Sequence, residues 1–445
     1  MPPADGRLVP GLHPPIARLI GFRRFYLFWI KFPKACKITR VKALTNPYTP
    51  NAGAQPQALV GRDDQLESFD LLLARIERGR TEQSMIVTGL RGVGKTVLLA
   101  LFRRKALARD WVVVEIEVSK HDDSEFRRDV AVQMRSALLE LSPKARWTDR
   151  VKHAAAVLKS FSVSVDPAGT WSAGLDVEAA EGFADHADLS LDLTDLFLAV
   201  GEAAKEHEKG LVLLLDEVQF LKPSQLEALI QALHKMVQRN LPITMVAAGL
   251  PHIAELAGDA KSYAERLFKF PALGNLSAED AREALSRPAA DEGVTYTQEA
   301  LDAAVAITGG YPYFIQELGY AVWTVAEGPV ITRDDMLAAE PGYEAKLDAS
   351  FFRVRLDRAT ELQRAYLRAM AELGSAPQKA SDVAAIMGRT STNLGPTRAE
   401  LINMGLLYTP EHGYAAFTVP HFDRFLRRAI PQLEVPPLKA RSKGA

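Results

Sequence analysis

The sequence predicts an α/β protein with a parallel sheet around a glycine-rich loop, followed by a helical subdomain and a further small unit near the carboxyl end. Three observations predict this class. Apolar, β-branched runs alternate with helical patterns up to about residue 270, which is the order of a parallel sheet with crossover helices. A glycine-rich turn, GLRGVGKT, joins the first of these runs to a helix. After Ser277 the strand signal fades and helical patterns follow.

The glycine-rich turn has the spacing G-x-x-x-x-G-K-[ST] of a P-loop. Glycines let successive N–H groups face one concave nest, and the helix that follows adds unpaired donors and the positive end of its dipole. The alternative is a turn without a ligand, but the full pattern between a strand and a helix favours a phosphate cradle. We expect Lys95 to reach the β- and γ-phosphates of ATP and Thr96 to ligate Mg²⁺. The predicted contacts are Gly89, Leu90, Arg91, Gly92, Val93, Gly94, Lys95, Thr96 and Val97.

The other core patterns lie on both sides of this turn. Val60–Asp63 opens a helix with apolar residues at helical spacing. The run Trp111–Val118 predicts a strand covered on both faces. Alternating runs between residues 142 and 192, among them Phe161–Val165, predict a hairpin insertion. Further strands are expected at 85–87, 210–217, 243–248 and 268–270, and further helices at 95–108, 124–141, 193–209 and 226–238.

Two carboxylates end the leucine-rich run Gly210–Glu217. ATP hydrolysis needs one carboxylate in the magnesium shell and a neighbour that polarises water. Ligand chemistry in a parallel sheet lies at the carboxyl ends of its strands. Asp216 is therefore the predicted metal ligand beside Thr96, and Glu217 is the predicted general base. A pair of solvated acids that opens a loop is the alternative. P-loop kinases are another class, but a kinase would not need two further domains after the core.

The arrangement from Asn46 to Arg428 resembles the AAA+ ATPases, particularly the branch of archaeal replication initiators and related origin-recognition-like ATPases. The resemblance implies a P-loop NTPase core, a helical lid, a C-terminal winged helix, Mg²⁺-dependent ATP hydrolysis and an adenine pocket beside residues 48–62. The segments on which the resemblance rests are Val60–Asp64, Gly89–Thr96, Leu213–Phe220, Ala247–Pro251 and Gly309–Pro312. The further nucleotide contacts that it implies are Tyr48, Arg62, Tyr311 and Pro312.

Two departures from the family pattern concern turnover. Relatives usually carry a polar residue near the end of the fourth core strand to orient the attacking water, whereas this chain has Ala247–Gly249 there, and Thr244 comes too early. The lid of relatives usually contributes an arginine to the γ-phosphate, whereas residues 309–317 contain none. ATP binding with slow hydrolysis is therefore expected, which suits a nucleotide switch.

Arg266 lies just ahead of the last predicted strand, where relatives often carry an arginine finger that acts on a neighbouring subunit's nucleotide. Such a finger accelerates known NTPases on the order of a thousandfold or more. The resemblance thus implies a catalytic role for Arg266 in a homo-oligomer. The alternative is a surface arginine paired with Glu265 or another acid.

The C-terminal pattern of helix, helix, turn, helix and hairpin is the order of a winged helix. It also resembles the carboxyl-terminal domain of replication initiators. Residues 380–420 are therefore a candidate surface for double-stranded DNA, although the wing tip carries Glu411 rather than a basic cluster. Two hypotheses stay open: a nucleotide switch that controls DNA binding, and a signalling NTPase whose terminal unit binds a protein client. The candidate DNA contacts are Arg389, Thr390, Thr392, Asn393, Arg398 and Lys379.

Composition sets the remaining bounds. The chain has 445 residues, 47% of them hydrophobic, which is enough for two or three domains. Its formal charge of −1 implies no bulk attraction to nucleic acid or membrane. The single cysteine, Cys36, excludes an internal disulfide framework and a cysteine-based zinc site and favours a reducing cytoplasm. The apolar run 25–30 is too short to span a bilayer, so no integral membrane insertion is expected.

The predicted divisions of the chain follow from these patterns. The tail at 1–45 is basic and aromatic, and we expect it to be a disordered tail or an extension outside the working protein, with a membrane-surface patch as the alternative. The other divisions are the P-loop core at 46–275, with its insertion at 142–192, the lid at 276–345, the winged helix at 349–430 and a disordered tail at 431–445.

Overall fold

The computed structural model describes residues 43–51, 53–119, 122–163, 166 and 175–437. One compact unit begins at Thr45 and contains almost all of them. The predicted tail at 1–45, apart from its last residues, lies outside the described residues, as do residues 438–445. No helix within the described ranges is long and apolar enough to cross a membrane.

A parallel sheet forms the centre of this unit, which confirms the predicted α/β class. The strands have the order β2-β3-β4-β1-β5, and β6 pairs with β1 beyond the end of β5. Successive side chains alternate between the faces, so that Leu214 packs in one core and Leu213 and Leu215 pack in the other. The strands are β1 Ser84–Gly89, β2 Val112–Glu117, β3 Leu211–Asp216, β4 Ile243–Gly249, β5 Phe268–Lys269 and β6 Ala272–Leu273.

Helices cover both faces of the sheet. The first face packs against α1 (Asp63–Glu77) and α2 (Lys95–Ala108). The second packs against α3 (Asp123–Leu141), α4 (Asp149–Val163), α5 (Leu189–Glu206), α6 (Pro223–Arg239) and α7 (Ile253–Ala260). A short α8 (Ala264–Leu267) precedes β5. Helix α3 starts sharply because Asp122 and Glu125 form a capping box.

Two predictions about this core are wrong. Phe161–Val163 ends α4 rather than forming a strand, because Val151, Leu158 and Phe161 recur at helical spacing and are buried; residues 164, 165 and 167–174 of the predicted hairpin lie outside the described residues. Strand β2 is fully covered on one face but only partly on the other, where Val113 packs against the core and Glu115 and Glu117 are exposed. It lies at the sheet edge, and its Glu115 is exposed and pairs with Arg103 at 2.8 Å.

Four helices follow the sheet: α9 (Ala278–Asp291), α10 (Gln298–Thr308), α11 (Pro312–Val325) and α12 (Arg333–Lys346). A small parallel pair, β7 (Thr295–Tyr296) and β8 (Val330–Ile331), joins their ends. Side chains of Ser277, Thr297 and Thr332 accept backbone N–H groups at the starts of α9, α10 and α12, and such caps satisfy donors that a helix leaves unpaired.

Helix α12 continues without a break into the C-terminal part of the chain. A π-helical segment, Leu347–Phe352, follows it and leads into α13 (Arg353–Leu356). Beyond lie α14 (Glu361–Leu373), α15 (Ala380–Ile386), α16 (Ser391–Asn403) and α17 (Phe422–Ala429). The strands β9 (Gln378–Lys379), β10 (Leu407–Tyr408) and β11 (Tyr414–Phe417) form an antiparallel sheet in the order β10-β11-β9.

The described part of the predicted disordered tail, residues 431–437, packs on the protein. Residues 431–437 run along the C-terminal unit, where Leu433 and Val435 pack against its core. Arg368 donates to the carbonyl of Pro431 at 3.3 Å, and Arg389 donates to the carbonyl of Pro436. Two apolar side chains and two arginine donors therefore fix a segment whose proline content alone predicts disorder.

Candidate active site

The P-loop lies between β1 and α2 at the carboxyl edge of the sheet, and its glycines are required there. Gly92 and Gly94 have φ values of +79° and +95°, a region that side chains rarely adopt. A Cβ at Gly89 would lie 2.5 Å from the carbonyl oxygen of Leu273, and a Cβ at Gly92 would lie 2.7 Å from the hydroxyl of Tyr311. The loop is therefore packed against β6 and against the start of α11.

Lys95 begins α2 and is only 6% exposed. Its Nζ donates to the carbonyl oxygens of Gly89 and Leu90, both at 2.9 Å. Burial lowers the pKa of the Lys95 ammonium, and the nearby carboxylates of Glu217 and Asp216 oppose that shift. The lysine thus lies at the base of the loop, within reach of a phosphate held there.

The acidic pair lies at the end of β3. Thr96 Oγ1 donates to Asp216 Oδ2 at 2.6 Å, and the backbone N–H of Glu217 donates to Asp216 Oδ1 at 2.8 Å. Burial raises the pKa of Asp216, and these two donors oppose the shift. A hydroxyl and a carboxylate in contact fit Mg²⁺, which prefers oxygen ligands and takes only one or two carboxylates together with phosphates and water. Thr96 and Asp216 would hold the ion.

Glu217 has a left-handed backbone with φ +57°, which costs free energy in a residue with a side chain. Its carboxylate accepts from Gln219 Nε2, and Gln219 Oε1 accepts from the backbone N–H of Leu250 at 3.2 Å. Gln219 therefore connects the acidic end of β3 with the end of β4. Sequence reasoning missed this residue, although it lies inside the segment Leu213–Phe220 on which the family resemblance rests.

A cavity of about 460 Å³ opens beside these groups. A larger cavity, about 660 Å³, lies at the opposite edge, where β1 and β4 begin at Ser84 and Ile243. The smaller cavity is the candidate site, because the P-loop lines it. Its walls come from the P-loop, the chain before α1, the lid and the segment after α12. They include Thr49, Pro50, Asn51, Arg62, Arg91–Val97, Glu217, Leu276, Pro312, Tyr313, Gln316, Phe351 and Arg355.

Tyr48, an implied base contact, does not line this cavity. It is 1% exposed and lies in the core of the helical subdomain, where its hydroxyl donates to the carbonyl of Leu285 at 2.6 Å and lies 2.7 Å from the hydroxyl of Tyr296. Its ring packs edge-on against Trp323. The buried ring is held by packing and its hydroxyl is already bonded, so the adjacent Thr49, Pro50 and Asn51 reach the cavity instead.

Of the three other nucleotide contacts that the resemblance implies, Arg62 and Pro312 line the cavity and Tyr311 does not. Arg62 lines the cavity, but one of its nitrogens donates to the carbonyls of Val93 and Gly274, both at 3.0 Å, so it also braces the P-loop. Tyr311 is fully buried behind Gly92, and burial raises the pKa of its hydroxyl. Pro312 lines the cavity.

Arg266 lies away from this site. Its backbone carbonyl accepts from Gln83, just before β1 begins, so it lies at the edge opposite the P-loop. Its side chain is exposed and forms no ion pair with the acids of the described ranges. The predicted pairing with Glu265 or another acid is therefore not seen.

The end of β4 carries no polar side chain, as the sequence indicates. Ala247 and Ala248 are buried, and Thr244 lies near the start of the strand with its hydroxyl 3.0 Å from that of Ser84. A Cβ at Gly249 would lie 3.2 Å from Gln219 Oε1. The amide of Gln219 thus occupies the space beside the end of β4.

Comparison with known families identifies the nucleotide core. Residues 58–246 match the AAA ATPase domain, and residues 349–426 match a domain of unknown function, DUF8462. A search of curated proteins found no match. The chain therefore carries an AAA ATPase domain, and nucleotide binding with ATP hydrolysis is its class of activity.

One solved structure supports the fold, and two others match more weakly. A Walker-type ATPase of Pyrococcus abyssi is similar to the chain at 15% identity and TM-score 0.53, over 84% of this chain and 97% of that one. The ORC1 protein of Aeropyrum pernix in complex with DNA matches at 15% identity and TM-score 0.40, over 84% and 94%. The RuvB Holliday junction branch migration motor of Thermotoga maritima matches at 17% and 0.43, over 86% and 99%. Such low identities carry no information about ligands.

Proposed function

We propose that this chain, which carries an AAA ATPase domain, is a Mg²⁺-dependent ATP-hydrolysing switch whose nucleotide state sets the position of its C-terminal unit. The observation that carries the proposal is the composition of the cavity. The P-loop, Glu217, the lid and the segment after α12 all contribute to its wall. A ligand that fills the cavity contacts the core, the lid and the segment after α12 at once, so its loss changes how these parts pack.

The chemistry follows from the residues around the cavity. The P-loop N–H groups and Lys95 bind the phosphates. Thr96 and Asp216 would hold Mg²⁺, which would supply charge neutralisation at the phosphate oxygens. Glu217 accepts a proton from water as the water oxygen bonds to the γ-phosphorus and the bond to the β,γ-bridging oxygen breaks. The products are ADP and phosphate. Gln219 holds the Glu217 carboxylate in the conformation that receives this proton.

Replacing Gln219 by methionine tests this positioning role. Methionine keeps the shape of the side chain but cannot donate to Glu217 or accept from Leu250. We expect kcat to fall between about ten- and a hundredfold, because a misplaced catalytic group loses that much, while the KM for ATP stays the same. Steady-state phosphate release measures both constants. An unchanged kcat, or a rise in KM alone, contradicts the role.

For the output of the switch, the exposed groups of the C-terminal unit favour a protein client over DNA. Arg389 is bound to the carbonyl of Pro436, and Glu400 accepts from Gln363. The exposed start of α16 carries neutral side chains, and Glu411 is exposed at the tip of the hairpin. DNA binding draws most of its affinity from cations on phosphates. With Arg389 bound to Pro436, the exposed Lys379 and the half-buried Arg398 are the basic candidates that remain, so the surface provides few such cations.

Binding measurements at a series of salt concentrations distinguish a DNA client from a protein client. We expect the affinity for a duplex oligonucleotide to be weak and its logarithm to change little with the logarithm of salt concentration, because few cations are free to displace counterions. Fluorescence anisotropy at several salt concentrations measures this slope. Tight binding with a steep negative slope contradicts the protein client and supports DNA recognition through residues 380–420 and a winged-helix unit.

Arg266 suits an action on a neighbouring copy of the chain. It is exposed and lies at the edge of the sheet away from its own P-loop. It can therefore reach a nucleotide only in another subunit, as an arginine finger does. We propose a homo-oligomer as the form in which hydrolysis is fastest.

A further inference from the structure

Two arginines line the nucleotide cavity without an acidic partner. Arg91 belongs to the P-loop and Arg355 to α13. The Nε atoms of both are buried and have no hydrogen-bond partner among the described residues. Arg355 donates to the carbonyl of Phe351, and its guanidinium lies 3.9 Å from the centre of the Phe351 ring. One face and one nitrogen of Arg355 are thus used, and the side chain still lines the cavity without an acidic partner among the described residues.

The charges around these arginines favour an anion. The side chains that line the described cavity include the cations Arg62, Arg91, Lys95 and Arg355, against the single carboxylate of Glu217. Burial, followed by the positive charge of Arg91, lowers the pKa of Arg355. Partly buried like charges that face one another are unfavourable unless an opposite charge binds between them. A triphosphate supplies that charge.

Arg355 is tied to the C-terminal unit rather than to the lid alone. The ring of Phe352 stacks on Phe422 and Phe425 of α17, with centroids 5.7 and 5.3 Å apart. Arg428 of α17 donates to Asp348 at 2.7 Å. The π-helical segment that contains Asp348 and Phe352 therefore connects the arginine to α17, and such segments are frequent at functional sites.

Arg91 touches the same unit from the P-loop side. A Cβ at Gly405, which follows α16 with φ +68°, would lie 2.7 Å from Arg91 Nη2. Only a glycine lets the arginine approach so closely. The phosphate loop and the C-terminal unit are thus in direct contact at this arginine.

We propose that Arg355 binds the γ-phosphate of ATP and, through its segment, couples the presence of that phosphate to the C-terminal unit. Arg355 would make the γ-phosphate contact that a lid arginine makes in relatives, since residues 309–317 contain no arginine. The inference rests on the proposed function, because ATP must first occupy the cavity. The ligand feature that Arg355 recognises is the terminal phosphate, so ATP and ADP should bind differently when it is removed.

Titration calorimetry with ATP and with ADP, each with Mg²⁺, tests the proposal on the full chain. For Arg355→Gln we expect ATP to bind about ten- to a hundredfold more weakly, the loss typical of a charge-assisted hydrogen bond, and ADP to bind as before. Arg355→Lys should recover part of the ATP affinity, because a lysine keeps the charge without the fork of donors. Arg353→Gln is the matched control, since Arg353 is exposed on the same helix.

Preserved ADP binding shows that a variant has folded, and Arg355→Lys serves if Arg355→Gln does not fold. Hydrogen exchange over residues 347–356 gives a second readout: ATP, but not ADP, should slow exchange in the wild type, and this difference should vanish in the variant. If Arg355→Gln weakens the binding of ATP and ADP equally, or leaves the ATP affinity unchanged, this inference is overturned but the proposed function is not. A wild-type chain that binds neither nucleotide contradicts the proposed function and the inference with it.

Discussion

Replacing Glu217 by glutamine should leave ATP bound and lower kcat between about a hundred- and ten-thousandfold, the range that general bases supply. Glutamine keeps the size of the side chain but cannot accept the proton of the attacking water. Its amide also faces the Nε2 of Gln219, which donates to the carboxylate in the wild type. Single-turnover phosphate release measures the loss, and calorimetry measures ATP binding in the same preparation.

Glu202→Gln is the control for this variant, because Glu202 is exposed on α5 and does not line the cavity. It should match the wild type in both measurements. Phosphate release by Glu217→Gln at the wild-type rate would remove Glu217 from the mechanism. Loss of ATP binding in Glu217→Gln would instead mean that the residue shapes the site rather than the reaction.

Replacing Lys95 by alanine should abolish measurable ATP binding. The ammonium is the buried cation nearest the P-loop carbonyls, and it donates to Gly89 and Leu90 at 2.9 Å. Without it the loop loses its charge-assisted bonds to phosphate, which contribute about 1.5–3 kcal/mol each. Two or more such bonds correspond to at least about a hundredfold in affinity. Equilibrium binding of a fluorescent ATP analogue measures the change.

Lys105→Ala is the matched control for Lys95→Ala. Lys105 lies on the same helix and pairs with Asp70 at 2.6 Å on a partly exposed surface, where ion pairs contribute little. This variant should bind ATP like the wild type. A Lys95→Ala chain that retains wild-type affinity would contradict the phosphate cradle, provided its circular dichroism spectrum is unchanged.

The sequence predicted the core well because its signals are local. A strand that ends at Gly89 and one that ends in Asp216 each show in a few consecutive residues, and the carboxyl ends of parallel strands meet at one edge. The contact of Thr96 with Asp216 at 2.6 Å follows from that rule. The P-loop spacing also predicted its own turn, because glycine alone tolerates the required φ values.

Contacts between distant parts of the chain were not predictable in this way. Arg355 reaches the cavity only because a π-helical segment follows α12 and packs on α17, and no local pattern indicates that. Gln219 reaches the end of β4 through a hydrogen bond to Leu250. The packing of residues 431–437 likewise depends on Arg368 and Arg389, which lie far back in the sequence.

The wrong strand prediction at residues 161–165 and the position of Tyr48 also depend on parts of the chain beyond the local pattern. Phe161–Val165 alternates like a strand, but the helical repeat that begins at Val151 continues through Phe161 and the longer pattern determines the structure. Tyr48 was assigned to the adenine pocket by resemblance, whereas its hydroxyl finds partners at Leu285 and Tyr296 inside the helical subdomain. Thr49, Pro50 and Asn51 line the cavity, whereas Tyr48 does not.

Titration calorimetry of the full chain with ATP in the presence of Mg²⁺ tests the central claim most directly. The account predicts saturable binding at one site per chain, weakened when Mg²⁺ is chelated, because Thr96 and Asp216 hold the ion against the phosphates. Folded protein that shows no saturable heat with ATP or ADP would contradict it.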